Sequence, residues 1–398
     1  MRDLAHFDPI AGELADDFWP TLKDMRTTCP VLRSEVHGGF WVLTRYQDIW
    51  RVARDPESFV SSLGVSAVPR PETAVKTVPA HADPPFHRVL RNVLDPWFTP
   101  RKVRELEPFM REVASELIDG FVGRPSCEFM SEFAIQYPAR IFFERILGLG
   151  GDDIARVRGW SDQIMLAPHL ADDALASFGD WAGALCAQRR DSAPRDDVIG
   201  ALLTASYEGQ PFTDDVLRGA IVNITLGGLE TTAMALGTIL HHVATDPGVA
   251  AFLQDPARGS GRQAVAIEEF LRFETPLPSI GRVCAKDEMI DGHQLRKGDR
   301  VVLYYGSGNR DGAMFDRPDD LVLDRPIEQN RHMTFGSGPH RCLGSHLARL
   351  ELGVALGEVL GRLRGIRLSH DVRYRPAISR GPHELHLSYD PTGSRAQS

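Results

Sequence analysis

The sequence lacks the usual marks of export, membrane insertion and covalent cross-linking. Its first twenty residues, MRDLAHFDPIAGELADDFWP, hold neither a basic nor an apolar leader segment. Apolar runs elsewhere break well short of the roughly 18–20 residues that cross a bilayer. The protein is therefore expected to be soluble and cytoplasmic, with no membrane partner. The five cysteines, Cys29, Cys127, Cys186, Cys284 and Cys342, are odd in number, far apart and never in a Cys-x-x-Cys pair. Neither a disulfide framework nor a zinc ribbon is expected from them. Basic residues are in the minority, 45 against 54 acidic ones for a net charge of -9, which disfavours nucleic acid and anionic lipid as partners. No internal repeat or low-complexity tract is present, and Pro391 to Ser398 reads as a frayed tail. What is present is ordinary globular composition, 42% hydrophobic and 25% charged. At 398 residues the length alone leaves the number of domains open.

Helical periodicity dominates, over about 101–121, 129–148, 174–189, 213–246, 262–273 and 342–364. Short β-like stretches are Phe40 to Leu43, Val301 to Tyr305 and Glu384 to Tyr389, fitting a small accessory sheet. Pro276 to Arg341, rich in Pro, Gly, Asp and Asn, is too long for an ordinary connection and reads as functional. The helix from Thr213 to Pro247 would run about 50 Å, across the whole molecule. In its middle stand Gly227 and Gly228, each costing roughly 1 kcal/mol relative to alanine. Two explanations are open: close packing against a neighbouring helix, or a widened helix that lets a ligand reach the backbone.

The most specific local pattern is Phe335-Gly-Ser-Gly-Pro-His340-Arg-Cys342-Leu-Gly344, running directly into a helix. A cysteine at a helix N-terminus meets exposed amides and the positive end of the dipole, which lower the thiol pKa and favour metal ligation. Gly344 leaves a flat surface against which a planar macrocycle could lie. A lone cysteine is more often a small buried hydrophobe, and that reading is adopted for the other four.

This loop resembles the heme-binding loop of the cytochrome P-450 superfamily, in which the cysteine is the proximal thiolate ligand. Three further motifs follow the same pattern. They are Glu269-Phe-Leu-Arg272, the central-helix run Gly227-Gly-Leu-Glu230-Thr231-Thr232, and Asp83-Pro-Pro-Phe-His87-Arg-Val-Leu-Arg91. The resemblance covers essentially the whole chain and is nearest the soluble bacterial class, its camphor-hydroxylase-like branch. It implies one mainly α domain over residues 1–398, a triangular helical prism with a small β region that encloses heme b (iron protoporphyrin IX).

By that resemblance, Cys342 ligates the metal. Phe335 and Gly344 shape its loop, and Gly227 lies at the oxygen site. His87, Arg91, Arg282 and His340 partner the heme carboxylates, and Glu230 with Thr231 form the acid–alcohol proton relay. The Thr231 hydroxyl can bond back to the Gly227 carbonyl four residues earlier, opening the helix for dioxygen. Glu269 and Arg272 brace the heme loop. The family's second arginine of this network is replaced by Asp320, with Arg325 the nearest substitute, and its role stays open.

No flavin or iron–sulfur pattern is found, so electrons from NAD(P)H should arrive through a ferredoxin or flavodoxin with its reductase. Such a partner would dock where Arg101, Lys102, Arg104 and Arg341 form a positive patch. A monomer is expected. The resemblance places substrate contacts at Ser61 to Pro79, Ile164 to Leu170, Val222, Asn223, Leu226, Leu277, Ile280 and Ile378. Most are apolar, so a small or medium hydrophobic substrate is expected, with Asn223, Thr225, Ser279 or Arg70 as candidate polar anchors. Two alternatives are a structural zinc site at His340, Cys342 and His346, and a non-oxygenating heme protein of the same fold that senses ligands, recruits partners or rearranges substrates.

Overall fold

The computed structural model describes residues 4–11, 14, 17–71, 74–166, 171–255, 259–374 and 378–390. The expected tail and part of the Ile164 to Leu170 segment lie outside them. The helices that position the site are α1 (Phe86–Leu94), α2 (Glu107–Asp119), α3 (Ala171–Arg190), α4 (Asp214–Thr245), α5 (Gly259–Glu274) and α6 (Ser345–Arg362). The fold is mainly α, as expected.

At the start of α4, the Thr213 hydroxyl accepts a hydrogen bond from the Val216 amide, and the helix stops at Asp246, which caps the next one ahead of Pro247. Its 32 residues span about 48 Å. It is apolar all round because it is buried on nearly all sides. Among the described residues α4 alone is long and apolar enough to cross a membrane, and most of it lies inside the protein core.

Two expected helices are interrupted. The 101–121 segment divides at Leu106 because Pro108 lacks an amide hydrogen and its ring blocks the carbonyl of the preceding turn, so α2 begins afresh. The 129–148 segment is an α-helical turn, Gln136–Ile141, flanked by the wider π-helical turns Met130–Ala134 and Phe142–Leu147.

The strands of the two larger sheets are β1 (Val31–Ser34), β2 (Phe40–Leu43), β3 (Phe59–Val60), β4 (Ser126–Glu128), β5 (Ile280–Cys284), β6 (Arg300–Leu303), β7 (Arg364–Leu368) and β8 (His386–Asp390). One sheet has the order β1-β2-β6-β5-β3, in which only β2 and β6 are parallel, with Val302 opposite Val42. A second, three-stranded sheet has the order β7-β8-β4, and two small two-stranded sheets pair Ser206–Tyr207 with Gln210–Pro211 and Glu288–Ile290 with His293–Leu295. The 276–341 stretch thus contains β5 and β6, strands too short to show clear alternation. The segment around Val75 and Lys76 lies over α3 and α4. A Cβ at Gly179 would stand 2.9 Å from Val75, and one at Gly219 would stand 2.1 Å from the Lys76 carbonyl.

Candidate active site

A cavity of about 300 Å³ lies between α4 and the loop that precedes α6. Its walls include Asn223, Gly227 and Thr231 of α4, Pro79 and Ala80, Leu277 and Ile280, and the loop residues Phe335, His340, Cys342 and Gly344. The loop's shape follows from its glycines. Gly338 adopts φ +71°, and a Cβ there would stand 2.4 Å from the Ala53 carbonyl, so only glycine fits. The Cys342 amide donates to the Phe335 carbonyl at 2.7 Å, closing the loop.

Cys342 does not cap α6, which starts at Ser345 with Gly344 as its cap. Its side chain opens onto the cavity. Burial among protein atoms pushes its thiol pKa up, while the Gly344 amide and Arg91, Arg349 and Arg341 pull the other way. The net direction is opposite to the sequence expectation, because burial outweighs the groups that favour the thiolate.

At one edge of the cavity, cationic and imidazole groups converge. His87 and His340 rings stand 4.2 Å apart, beside buried Arg282 and half-buried Arg91. Burial and the neighbouring guanidinium charges lower His87 to about 4 and His340 to about 2, so both are neutral at pH 7. His340 Nε2 is 3.2 Å from the Ser61 hydroxyl, whereas His87 Nε2 is buried with no partner. Arg91 donates to the Arg341 carbonyl at 2.8 Å and pairs with Asp95 at 2.8 Å. Tyr305, which sequence reading missed, adds its phenol to this edge of the cavity. Such a cluster calls for buried anions.

The two central glycines serve different ends. A Cβ on Gly228 would stand 2.5 Å from the Phe142 ring, so that glycine allows close packing. A Cβ on Gly227 would meet nothing within 4 Å, and this residue faces the cavity. Thr231 donates to the Gly227 carbonyl at 3.2 Å, the expected back-bond. Glu230, one residue and about 100° round the helix, is buried and does not line the cavity. Its carboxylate accepts from the Ser379 hydroxyl at 3.5 Å.

Of the expected substrate contacts, Asn223, Leu277 and Ile280 line the cavity, and Val222, Leu226 and Ile378 do not. Val222 and Leu226 share a helix face about 100° from that of Asn223 and Gly227, and they pack into the core instead.

Behind the loop, Glu269 receives Arg272 through two hydrogen bonds of 2.7 and 2.8 Å and Arg325 through one of 2.9 Å. Arg325 therefore takes the place left open by sequence, while Asp320 offers its backbone carbonyl to Arg272 at 2.8 Å. Burial opposes ionisation of Glu269, but Arg272 and Arg325 hold it below the usual carboxylate range. Neighbouring Glu268, unnoticed in the sequence, binds Arg349 at 2.6 and 2.8 Å and His332 at 3.0 Å. The Arg349 guanidinium lies over the Phe335 ring, 4.3 Å from its centroid, so this second network steadies the cysteine loop from α6.

Glu351 is a second omission. It is buried at the cavity wall, accepts from Thr232 at 3.2 Å and leaves Oε1 without a partner. Burial pushes its pKa up to about 8, so it is a neutral acid at pH 7. The folded state then keeps a proton that the unfolded chain loses near pH 4, and stability falls as pH rises from about 4 to 8. Glu351→Gln is expected to be more stable by about 3 kcal/mol at pH 7 and indistinguishable at pH 4, measured by denaturant unfolding. Equal gains at both pH values would contradict this assignment.

The residues fit a bound heme. The orphaned His87 nitrogen and its cationic neighbours match two carboxylates, Gly227 and Gly344 leave open space at the cavity wall, and Cys342 lines the same cavity. Among the described residues no group of three His, Cys, Asp or Glu side chains could hold a metal ion, so His340, Cys342 and His346 do not form a zinc site.

Fold and cavity together match a heme-dependent oxygenase. A family model described as Cytochrome P450 matches residues 174–257 and 263–371. The chain is 32% identical to nocardicin C N-oxygenase of Nocardia uniformis subsp. tsuyamanensis, covering 96% of this chain and 98% of that one. It is 30% identical to the steroid C26-monooxygenase of Mycolicibacterium smegmatis, covering 92% of each. A mutant of P450 EryK in complex with erythromycin B superposes with a TM-score of 0.85 at 29% identity, covering 97% of this chain and 99% of that one. The chain belongs to the cytochrome P450 family and is a monooxygenase of its bacterial class.

Proposed function

We propose that residues 1–398 work as one heme-thiolate monooxygenase domain in the cytoplasm, hydroxylating, epoxidising or dealkylating a small or medium hydrophobic compound. The overall stoichiometry is substrate, dioxygen, two electrons and two protons giving oxygenated product and water. The observation that carries this reading is that Cys342 and the back-bonded Thr231–Gly227 pair line one largely apolar cavity.

Cys342 would be the metal ligand, with Phe335 and Gly344 as its immediate surroundings. His87, Arg91, Arg282 and His340 would hold the heme carboxylates, their charges and imidazole donors replacing water at that buried edge. When bound, heme supplies the redox chemistry that activates dioxygen. The apolar walls exclude water and orient substrate. Thr231 holds a donor hydroxyl at the cavity wall, and Glu230 resupplies its proton from the Ser379 side by rotating its side chain. Electrons would come from NAD(P)H through a ferredoxin or flavodoxin and its reductase, docking on the face that bears exposed Arg101, Lys102, Arg104 and Arg341. The protein would act as a monomer.

Two measurements test the reading. Reduced, carbon-monoxide-treated protein should show the red-shifted Soret band of thiolate ligation, and a surrogate ferredoxin–reductase pair should support product formation. Normal ligation without any product across a broad hydrophobic panel would point to a non-oxygenating role. Thr231→Ala should lower product formed per NAD(P)H consumed by about ten- to a hundredfold, the scale of a lost proton-transfer partner, with electrons diverted to peroxide. Unchanged coupling would remove Thr231 from the relay.

A further inference from the structure

Every polar side chain named in the sequence as a candidate substrate anchor but one is hydrogen-bonded elsewhere or lies off the cavity wall. Thr225 is fully buried and donates to the Ile221 carbonyl at 2.6 Å. The Ser279 hydroxyl is engaged by Tyr304. Arg70 faces Asp172 at 4.0 Å and does not line the cavity. The other polar groups on the cavity wall are occupied or belong to other parts of it, and Glu351, whose Oε1 is also unpartnered, stands on α6 beyond the cysteine loop rather than on α4. Thr231 bonds to Gly227, Thr232 to Glu351, and Thr334 to the Leu271 carbonyl at 2.6 Å. His87, Arg91, Arg282, Tyr305 and His340 form the edge that fits carboxylates.

Asn223 remains. It lines the cavity on the same α4 face as Gly227 and Thr231, four and eight residues further on, and its side-chain amide makes no hydrogen bond within the described residues. The apolar lining of the same cavity includes Ile224, Leu277, Ile280, Pro79 and Ala80. An asparagine inside a helix is a weaker helix former than leucine or alanine, so helix stability does not account for it. An amide in an apolar wall carries two donors and one acceptor, and leaving such a group dry and unpaired costs about 1–3 kcal/mol.

We propose that Asn223 is the substrate anchor, and that the preferred substrates are mainly apolar molecules bearing one ketone or hydroxyl oxygen. This rests on the monooxygenase reading above and narrows its substrate class. The helix rises 1.5 Å per residue, so the anchored oxygen and the oxidised carbon lie roughly 6–12 Å apart, the span from Asn223 to the Gly227–Thr231 opening. A substrate pinned at that distance presents one region of its skeleton to the opening, which makes Asn223 a determinant of regioselectivity as well as of affinity.

The test uses the heme-loaded protein and matched pairs that differ only in the oxygen, decalone with decalin and androstanone with androstane. Binding is read twice, by the low-to-high spin shift and by calorimetric titration, which does not depend on the heme spectrum. Wild type should bind at least one ketone about tenfold or more tightly than its hydrocarbon, the effect of about 1.4 kcal/mol. Asn223→Leu, close in size and a better helix former, should remove that preference while leaving hydrocarbon affinity within about twofold of wild type. No ketone preference in wild type, a preference that survives Asn223→Leu, or no binding of any pair by either method would overturn the proposal. The carbon-monoxide spectrum of the same samples separates the two readings. A normal thiolate band with an unchanged ratio removes the anchor alone, whereas a missing band removes the monooxygenase reading, with calorimetry still reporting on Asn223.

Discussion

Cys342→His is expected to yield folded, heme-containing protein that has lost both the red-shifted carbon-monoxide band and all product formation above background. The Cys342 side chain faces the cavity and packs into no apolar cluster, so its replacement disturbs little else. The loop that presents it is held by other atoms. The Cys342 amide bonds the Phe335 carbonyl, Gly338 fits against Ala53, and Arg349 spans Glu268 and the Phe335 ring. What is lost is electronic: a thiolate pushes electron density toward the metal and favours O–O cleavage, which an imidazole does less well. Near-normal unfolding alongside absent activity is the expected combination. Retention of the red-shifted band would mean that Cys342 is a bystander like the other four cysteines.

Glu269→Ala is expected to be the most damaging change for stability. It strands Arg272, which is fully buried, and Arg325, which is nearly so, each having lost its only carboxylate partner in this network. Breaking a buried pair in this way costs about 3–5 kcal/mol. That is a large share of the roughly 5–15 kcal/mol by which domains are stable. Arg272 also donates to the carbonyls of Asn309, Pro318 and Asp320, so its displacement loosens the chain leading to the cysteine loop. Low yield, poor heme retention and a lowered urea midpoint should appear together. Glu269→Gln keeps the shape and should fall between the two. A Glu269→Ala protein within about 1 kcal/mol of wild type would show that the network is dispensable.

How much of this was legible in the sequence depended on whether an element's contacts are local. The cysteine loop, the Glu269–Arg272 pair and the Thr231–Gly227 back-bond join residues close in sequence, and each is where the spacing put it. The helix phase of α4 was harder. Val222 and Asn223 look alike as pocket candidates until the helix is oriented, and then one faces the core and the other the cavity. The same rotation turns Glu230 from Thr231 toward Ser379. Of the explanations offered for the paired glycines, close packing holds for Gly228 against Phe142, while Gly227 faces the cavity on a helix that keeps its regular α form. Arg325, Glu268 and Glu351 were unreadable because their partners come from distant parts of the chain. Only the identity of an acidic residue on an apolar helix hinted at Glu351.

The seat of Lys76 on Gly219 carries a consequence for the evolution of substrate range. The strand of chain that ends in Pro79 and Ala80 roofs the cavity, and it rests on two helices at points where neither helix has a side chain. A single methyl group at Gly219 would meet the Lys76 carbonyl and lift that roof from beneath, without altering any residue that touches substrate. The volume available to a ligand is thus set partly by a joint remote from the chemistry, so a lineage could shift toward bulkier compounds while its catalytic residues stay the same.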